Sequence, residues 1–71
     1  MNNPEESKRI GETILSIRKE KNLTQAELAK KAGVYRTHIL RIEKGMYDVR
    51  LSVLCAIAKA LGYRIELKKK R

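Results

Sequence analysis

The segment 24–45, TQAELAKKAGVYRTHILRIEKG, constrains the fold more than any other part of the chain. Thr24 is followed three residues later by Glu27, which is the spacing of a capping box at the start of a helix. Gly33 then offers the left-handed backbone conformation that a tight turn needs, and Gly45 is typical of the position after a helix end. The pattern therefore predicts two short helices joined by a sharp turn.

The inward and outward faces of these two helices differ in character. Ala29 on the first helix is small enough to let the pair cross closely, at the angle of about 90–120° that a helix-turn-helix requires. The second helix, predicted over 35–44, buries Ile39 and Ile42, which lie three positions apart. Its outward side carries Arg36, Thr37, His38 and Arg41. We expect a basic helix of this kind to enter the major groove of DNA.

The charge balance of the chain indicates the same kind of partner. The 71 residues include 17 Lys and Arg against 8 Asp and Glu, a formal net charge of +9. Subtracting the four basic residues at 68–71 from +9 leaves +5, so the rest of the chain is basic as well. A solvated basic surface is the alternative explanation, but so large an excess on a short chain favours a nucleic acid. RNA is disfavoured because the three tyrosines lie on different predicted elements and offer no stacking platform.

Composition also argues against several other classes of protein. One Cys allows no internal disulfide and no Cys-based metal site, which is typical of a reducing cytoplasm. No apolar run approaches the roughly 18 residues that span a bilayer, and the N-terminus is polar and acidic rather than signal-like. A single His, no acidic cluster and no phosphate-binding glycine-rich loop leave no catalytic constellation. We expect a cytoplasmic protein that is not an enzyme and uses no metal, cofactor, membrane or small-molecule ligand.

A longer helix is predicted before the central pair. Asn3 followed by Pro4 is typical of a helix start, and Ser7 is an alternative cap. The apolar residues of this helix recur at helical spacing and predict its buried stripe: Ile10, Ile14 and Ile17.

A fourth helix is predicted over 51–61, LSVLCAIAKAL, with Gly62 as its stop. Its start is less well marked, with Ser52 or Asp48 as the cap. A wide apolar face is expected to lie in the core: Leu51, Leu54, Cys55, Ile57, Ala58 and Leu61. A lone Cys on such a face is better explained as a small core residue than as a reactive thiol.

The C-terminal segment changes its pattern. Residues 63–68 alternate apolar and charged side chains, which predicts a β-strand with Tyr63, Ile65 and Leu67 on one face. A strand needs a hydrogen-bonding partner, and no other segment of the chain has the pattern of a strand. Pairing with the same strand of a second copy is therefore the simplest arrangement. A frayed tail is the alternative. The chain thus divides into a DNA-binding domain over 1–62 and a strand with a basic tail over 63–71, a candidate dimerisation element.

These motifs, in this order, resemble those of the lambda-repressor-like (XRE-type) helix-turn-helix family of phage repressors and bacterial regulators. The matching pieces are ILSIR at 14–18, LTQAELA at 23–29, GV at 33–34, ILRIEKG at 39–45 and the apolar helix at 54–61. The resemblance implies an all-α compact bundle of four to five helices, here with a short C-terminal β-strand. The ending LGYRIELKKK also resembles the family's short antitoxin-like branch, in which a C-terminal strand completes a dimer sheet.

The same resemblance assigns roles to residues. The base-reading positions are Arg36, Thr37 and Arg41, with contact to phosphates alone as the alternative for the two arginines. Contacts to the DNA backbone are expected from Thr24, Gln25, Tyr35, His38, Lys44 and Tyr47. Arg18 and Glu43 resemble a pair that forms an ion pair between the first and third helices in family members.

The function that this implies is sequence-specific DNA binding by a dimeric transcriptional regulator. Two recognition helices would meet half-sites about one helical turn apart, and a dimer bound at a promoter acts most simply as a repressor. The alternative is an antitoxin that binds and neutralises a partner toxin and uses DNA binding to regulate its own operon.

Overall fold

The computed structural model describes residues 4–46 and 49–70, and over those ranges helices are the only regular secondary structure. In chain order the helices are α1 (Pro4–Glu20), α2 (Gln25–Ala32), α3 (Arg36–Glu43) and α4 (Leu51–Ala60). The predicted all-α bundle is therefore confirmed at the level of four helices. The third helix is shorter than the predicted span 35–44 because Tyr35 and Lys44 are its capping residues.

The turn between α2 and α3 has the local chemistry that the sequence predicts. The Thr24 hydroxyl accepts a hydrogen bond from the backbone N–H of Glu27 at 3.0 Å, and the Glu27 carboxylate accepts one from the Thr24 N–H at 2.8 Å. Gly33 follows α2 with φ +74°, in the left-handed region. Its N–H and that of Val34 bond back to the last turn of α2, which closes the helix.

The other residues predicted to cap helices either lie inside a helix or fall outside the described residues. Ser7 lies inside α1 rather than at its start, and Asn3 is outside the described residues. The residue that caps α4 is Arg50, which makes no side-chain capping bond, so the prediction of Ser52 is wrong because that residue already lies in the first turn. Asp48 is outside the described residues.

The core lies where α3 packs against both α1 and α2, and where α4 packs against α2. Its buried apolar residues are Ile14, Leu28, Ala29, Ile39, Ile42, Ile57, Ala58 and Leu61. Ile10, Ile17, Val34 and Leu54 pack against this cluster while partly exposed. None of the helices over the described residues is long and apolar enough to span a membrane.

Gly11 allows α1 and α3 to approach unusually closely. A Cβ atom added at Gly11 would lie 2.1 Å from the carbonyl oxygen of Ile42, a distance that no side chain tolerates. Glycine is otherwise unfavourable in the middle of a helix, by about 1 kcal/mol relative to alanine. The close packing of α3 on α1 explains why a glycine occupies this position.

Two residues of α4 that were expected in the core are exposed. Leu51 keeps 68% of its surface accessible, and Cys55 is also exposed. The buried side of α4 is centred on Ile57, Ala58 and Leu61. Leu51 and Cys55 lie four residues apart on a neighbouring side of the helix, which no other described element covers. The interpretation of Cys55 as a core residue was wrong.

The prediction of a C-terminal β-strand was also wrong. Residues 63–70, termed the C-terminal tail below, contain no strand, and Tyr63, Ile65 and Leu67 are exposed by 53%, 44% and 100%. A strand needs a hydrogen-bonding neighbour, and no other segment within 4–46 or 49–70 forms one. The tail instead leaves α4 through a helix-ending turn in which the Tyr63 N–H donates to the Ala58 carbonyl at 2.8 Å.

Candidate nucleic-acid interface

The face of α3 that packs on the core and the face that points to solvent differ sharply in exposure. Ile39 and Ile42 are 0% and 3% exposed and lie in the core. The three side chains predicted to read bases, Arg36, Thr37 and Arg41, are all exposed. Positions 37 and 41 lie one above the other on one face, and Arg36 lies at the first position of the helix. The structure therefore brings the three predicted residues together on one accessible surface.

A buried ion pair attaches the end of α3 to α1. The Arg18 Nε donates to Glu43 Oε2 at 2.6 Å, and a second guanidinium nitrogen donates to Oε1 at 3.0 Å. The two side chains are only 11% and 5% exposed. Arg18 also donates to the backbone carbonyl of Leu23 at 2.7 Å, just before α2. The residues predicted to pair are thus in bidentate contact, and the pair joins three segments.

The hydrogen bonds continue from this ion pair to the outward face of α3. The side-chain amide nitrogen of Gln25 donates to Glu43 Oε1 at 3.0 Å. The amide oxygen of Gln25 accepts a hydrogen bond from the Arg36 guanidinium at 3.2 Å. Because the nitrogen faces the carboxylate and the oxygen faces the cation, the orientation of the amide is determined. Within the described residues, no buried side-chain nitrogen or oxygen lacks a partner.

The start of α3 lacks a conventional cap. Tyr35 occupies the capping position, and its side chain makes no capping hydrogen bond. Its backbone N–H donates to Nδ1 of His38 at 3.3 Å, and the two rings lie 5.7 Å apart between centroids, tilted by 49°. The Tyr35 side chain is 75% exposed.

The described residues among the other predicted DNA-backbone contacts lie at the ends of α2 and α3. Thr24 precedes α2, where its hydroxyl is occupied by the cap, and Gln25 is the first residue of that helix. Lys44 follows α3 and is exposed. Tyr47 is outside the described residues. The N-terminus of α2 carries the positive end of the helix dipole, which is suited to a phosphate.

The described residues offer few other sites for a ligand. They contain no group of three or more His, Cys, Asp and Glu side chains that could hold a metal ion. A groove of about 280 Å³ lies between α1, α4 and the C-terminal tail. Its apolar lining comes mainly from Ile10, Ile14, Ile17, Leu54, Leu61 and Ile65, and no residue of α2 or α3 contributes. The groove is therefore separate from the outward face of α3.

Sequence reasoning missed two features of this interface. The role of Gly11 in seating α3 was not anticipated, although an isolated glycine within a helical pattern is a recognisable indication of close packing. The link from Gln25 to Arg36 was also missed. Those residues are eleven positions apart, so no local pattern indicates their contact.

Comparison with known proteins finds a matching family and several similar proteins. The family described as Helix-turn-helix (HTH_3) matches residues 14–68. The immunity repressor protein of Bacillus phage phi105 is 45% identical over 56 residues, which are 79% of this chain and 39% of the repressor. An uncharacterized HTH-type transcriptional regulator of Methanocaldococcus jannaschii, MJ0272, is 56% identical over 45 residues, covering 63% of this chain and 68% of that protein.

Two further relatives extend the comparison. Antitoxin HigA1 of Mycobacterium tuberculosis is 36% identical over 63 residues, which are 89% of this chain and 42% of the antitoxin. The crystal structure of the clp gene regulator ClgR from Corynebacterium glutamicum superimposes with a TM-score of 0.76 at 28% identity, covering 82% of this chain and 62% of ClgR. The chain thus spans less than half the length of the phage repressor and of the antitoxin.

Proposed function

Because this chain belongs to the helix-turn-helix family, we propose that it is a sequence-specific DNA-binding transcriptional regulator that inserts α3 into the major groove. The observation that carries this proposal is the exposed polar face of α3 above a buried, ion-paired inner face. An exposed helix face held rigidly by the rest of the domain is what groove recognition requires.

Three side chains are the proposed readers of base edges. The guanidinium groups of Arg36 and Arg41 suit bidentate bonds to the O6 and N7 atoms of guanine. Thr37 can bond a base edge or contact a thymine methyl group. Each good bidentate contact discriminates against the wrong base by about 1–3 kcal/mol.

The DNA backbone is the proposed partner of the surrounding residues. Thr24 and Gln25 place the N-terminus of α2 against one phosphate, and Lys44 and Tyr47 contact the strand beyond the end of α3. Tyr35 contacts the backbone at the start of α3. The net charge of +9 supplies the sequence-independent attraction that brings the protein to DNA.

The active form is proposed to be a homodimer that represses transcription in the cytoplasm. Two copies of α3 would then meet half-sites about 10 base pairs apart. The exposed apolar side chains Tyr63, Ile65 and Leu67 are candidates for the contact between subunits, without strand pairing. Similarity to a phage immunity repressor favours repression, which a bound dimer achieves by blocking polymerase.

Selection of bound duplexes from a randomised library tests this proposal. Enrichment of a palindrome with half-sites about one helical turn apart is the expected result. The affinity for the enriched duplex should exceed that for a scrambled duplex of the same composition by about 10³-fold or more at the same salt concentration. Failure to enrich any sequence, with only steeply salt-dependent binding, would contradict sequence-specific recognition.

An antitoxin role is the second candidate. It is supported by the similarity to HigA1 over 89% of this chain. In this role the chain would bind and neutralise a protein encoded beside it and would regulate their operon. Expression from the native operon, followed by purification through this chain, separates the candidates, because a stoichiometric small partner is expected only for the antitoxin.

A further inference from the structure

The two helices of the helix-turn-helix begin in different ways. At α2 the hydroxyl of Thr24 and the carboxylate of Glu27 complete both halves of a capping box. At α3 the capping residue is Tyr35, whose phenol oxygen lies at the end of a long ring and makes no capping bond. Tyrosine is not among the residues that stabilise helix starts. The helix that carries the proposed base-reading residues therefore begins without a side-chain cap from its capping residue, and the His38 N–H donates to the Tyr35 backbone carbonyl at 3.0 Å instead.

His38 supplies the half of the cap that is present. It occupies the third position of α3, where a Glu or Gln side chain usually accepts a bond from the capping residue. Here the acceptor is Nδ1 of the imidazole, 3.3 Å from the Tyr35 N–H. The imidazole ring also lies beside the Tyr35 ring, 5.7 Å between centroids. One side chain thus contacts both the backbone and the aromatic ring of Tyr35.

The direction of this bond determines the state of the imidazole. A nitrogen that accepts a hydrogen bond carries no proton, so a neutral His38 ring must hold its proton on Nε2. Protonation of Nδ1 would turn the acceptor into a second donor facing the Tyr35 N–H. The bond at the start of α3 is therefore made to a proton-free Nδ1.

We infer that His38 is a positioning residue of the DNA-binding surface, which holds the first turn of α3 and the Tyr35 ring in place instead of touching DNA itself. This inference rests on the DNA-binding function proposed above. It replaces the backbone contact that the sequence predicted for His38. Arg36 and Thr37 lie in the same first turn, so fraying of that turn would displace two of the proposed base-reading side chains.

The tautomer of His38 in the free protein gives a test that needs no DNA. Nitrogen-15 NMR of the imidazole, at a pH where the ring is neutral, should show Nδ1 as the unprotonated nitrogen and Nε2 as the protonated one. The Tyr35 amide should exchange with solvent several-fold faster in His38→Ala than in the unaltered chain. A neutral ring protonated on Nδ1, or an unchanged Tyr35 exchange rate, would overturn the inference.

Binding to the selected duplex then separates positioning from direct contact. His38→Ala should weaken affinity by about three- to tenfold, which is the range that loss of a helix cap can produce. His38→Gln, which restores the usual acceptor at this position, should recover most of that loss. Ser16→Ala, on an exposed part of α1, is the matched control and should bind normally.

The results for the His38 variants can be told apart from a failure of the proposed DNA-binding function. If His38→Gln binds as weakly as His38→Ala, the imidazole contacts DNA directly and the positioning role is wrong. If the unaltered chain selects no duplex, the proposed function fails, while the NMR and exchange measurements still decide whether His38 caps α3.

Discussion

The two faces of α3 differ in almost every physical respect. On the inner face, Ile39 and Ile42 are buried and Glu43 is held by two guanidinium bonds and an amide bond. On the outward face, Thr37 and Arg41 are exposed. The inner face determines where the helix lies, and the outward face determines what it can touch. Substitutions on the two faces should therefore change different measurable quantities.

Gln25 connects the two faces. It bonds Glu43 on the inner side and Arg36 on the outward side. A rigid inner face thereby limits the directions that the Arg36 guanidinium can adopt. Preorganised side chains lose less conformational freedom on binding, so this link should matter for specificity more than for folding.

The largest effect is expected from breaking the buried ion pair. Glu43→Leu leaves the Arg18 cation buried without its carboxylate, which should lower the free energy of unfolding by about 3–5 kcal/mol. The double variant Arg18→Met with Glu43→Leu removes both charges and should recover a large part of that loss. Urea denaturation followed by circular dichroism measures both. Equal destabilisation of the single and double variants would mean that charge burial is not the cause.

A smaller loss of stability is expected at Gly11. Gly11→Ala places a Cβ 2.1 Å from the Ile42 carbonyl oxygen, and separating α1 from α3 should cost about 2–3 kcal/mol. Thermal denaturation measures the change, with Ser16→Ala as a control on the exposed side of the same helix. An unchanged melting temperature for Gly11→Ala would show that the helices do not pack this closely.

The link between the faces is expected to have an intermediate effect, on binding rather than folding. Gln25→Ala should weaken affinity for all duplexes and also reduce discrimination at the base read by Arg36. A double-mutant cycle between Gln25 and Arg36, measured by fluorescence anisotropy on the selected duplex, should give a coupling of about 0.5–1.5 kcal/mol. Strictly additive losses would mean that the bond between the two side chains has no role in recognition.

The smallest effect on folding is expected in the C-terminal tail. Leu67 is fully exposed, so Leu67→Ser should change the free energy of unfolding by less than about 0.5 kcal/mol. If the tail joins the subunits, the same change should weaken self-association in analytical ultracentrifugation. Unaltered association would place the dimer contact elsewhere.

The parts of the fold that depend on local chemistry were predictable from the sequence. The Thr24–Glu27 cap, the turn at Gly33 and the inward residues Ile39 and Ile42 follow from patterns within a few residues. These features were enough to place the exposed face of α3.

The remaining features depend on what lies opposite a residue in space. Periodicity marks Leu51 and Cys55 as apolar, but it does not say whether another element covers them, and none of the described elements does. The alternation over 63–68 favours a strand, but a strand requires a neighbour. The close approach at Gly11 likewise joins residues far apart in sequence, so the isolated glycine indicates close packing but does not reveal that Ile42 lies opposite it.

Recognition by the outward face of α3 is tested most directly by repeating the library selection with Arg41→Ala beside the unaltered chain. The variant should fold normally, because Arg41 is exposed and takes no part in the buried ion pair. Its selected motif should lose sequence preference at one position in each half-site and keep the others. The contradicting result is an identical motif from both proteins, with the affinity of the variant reduced by the same factor for every duplex. It would show that Arg41 contacts only phosphates and does not read a base.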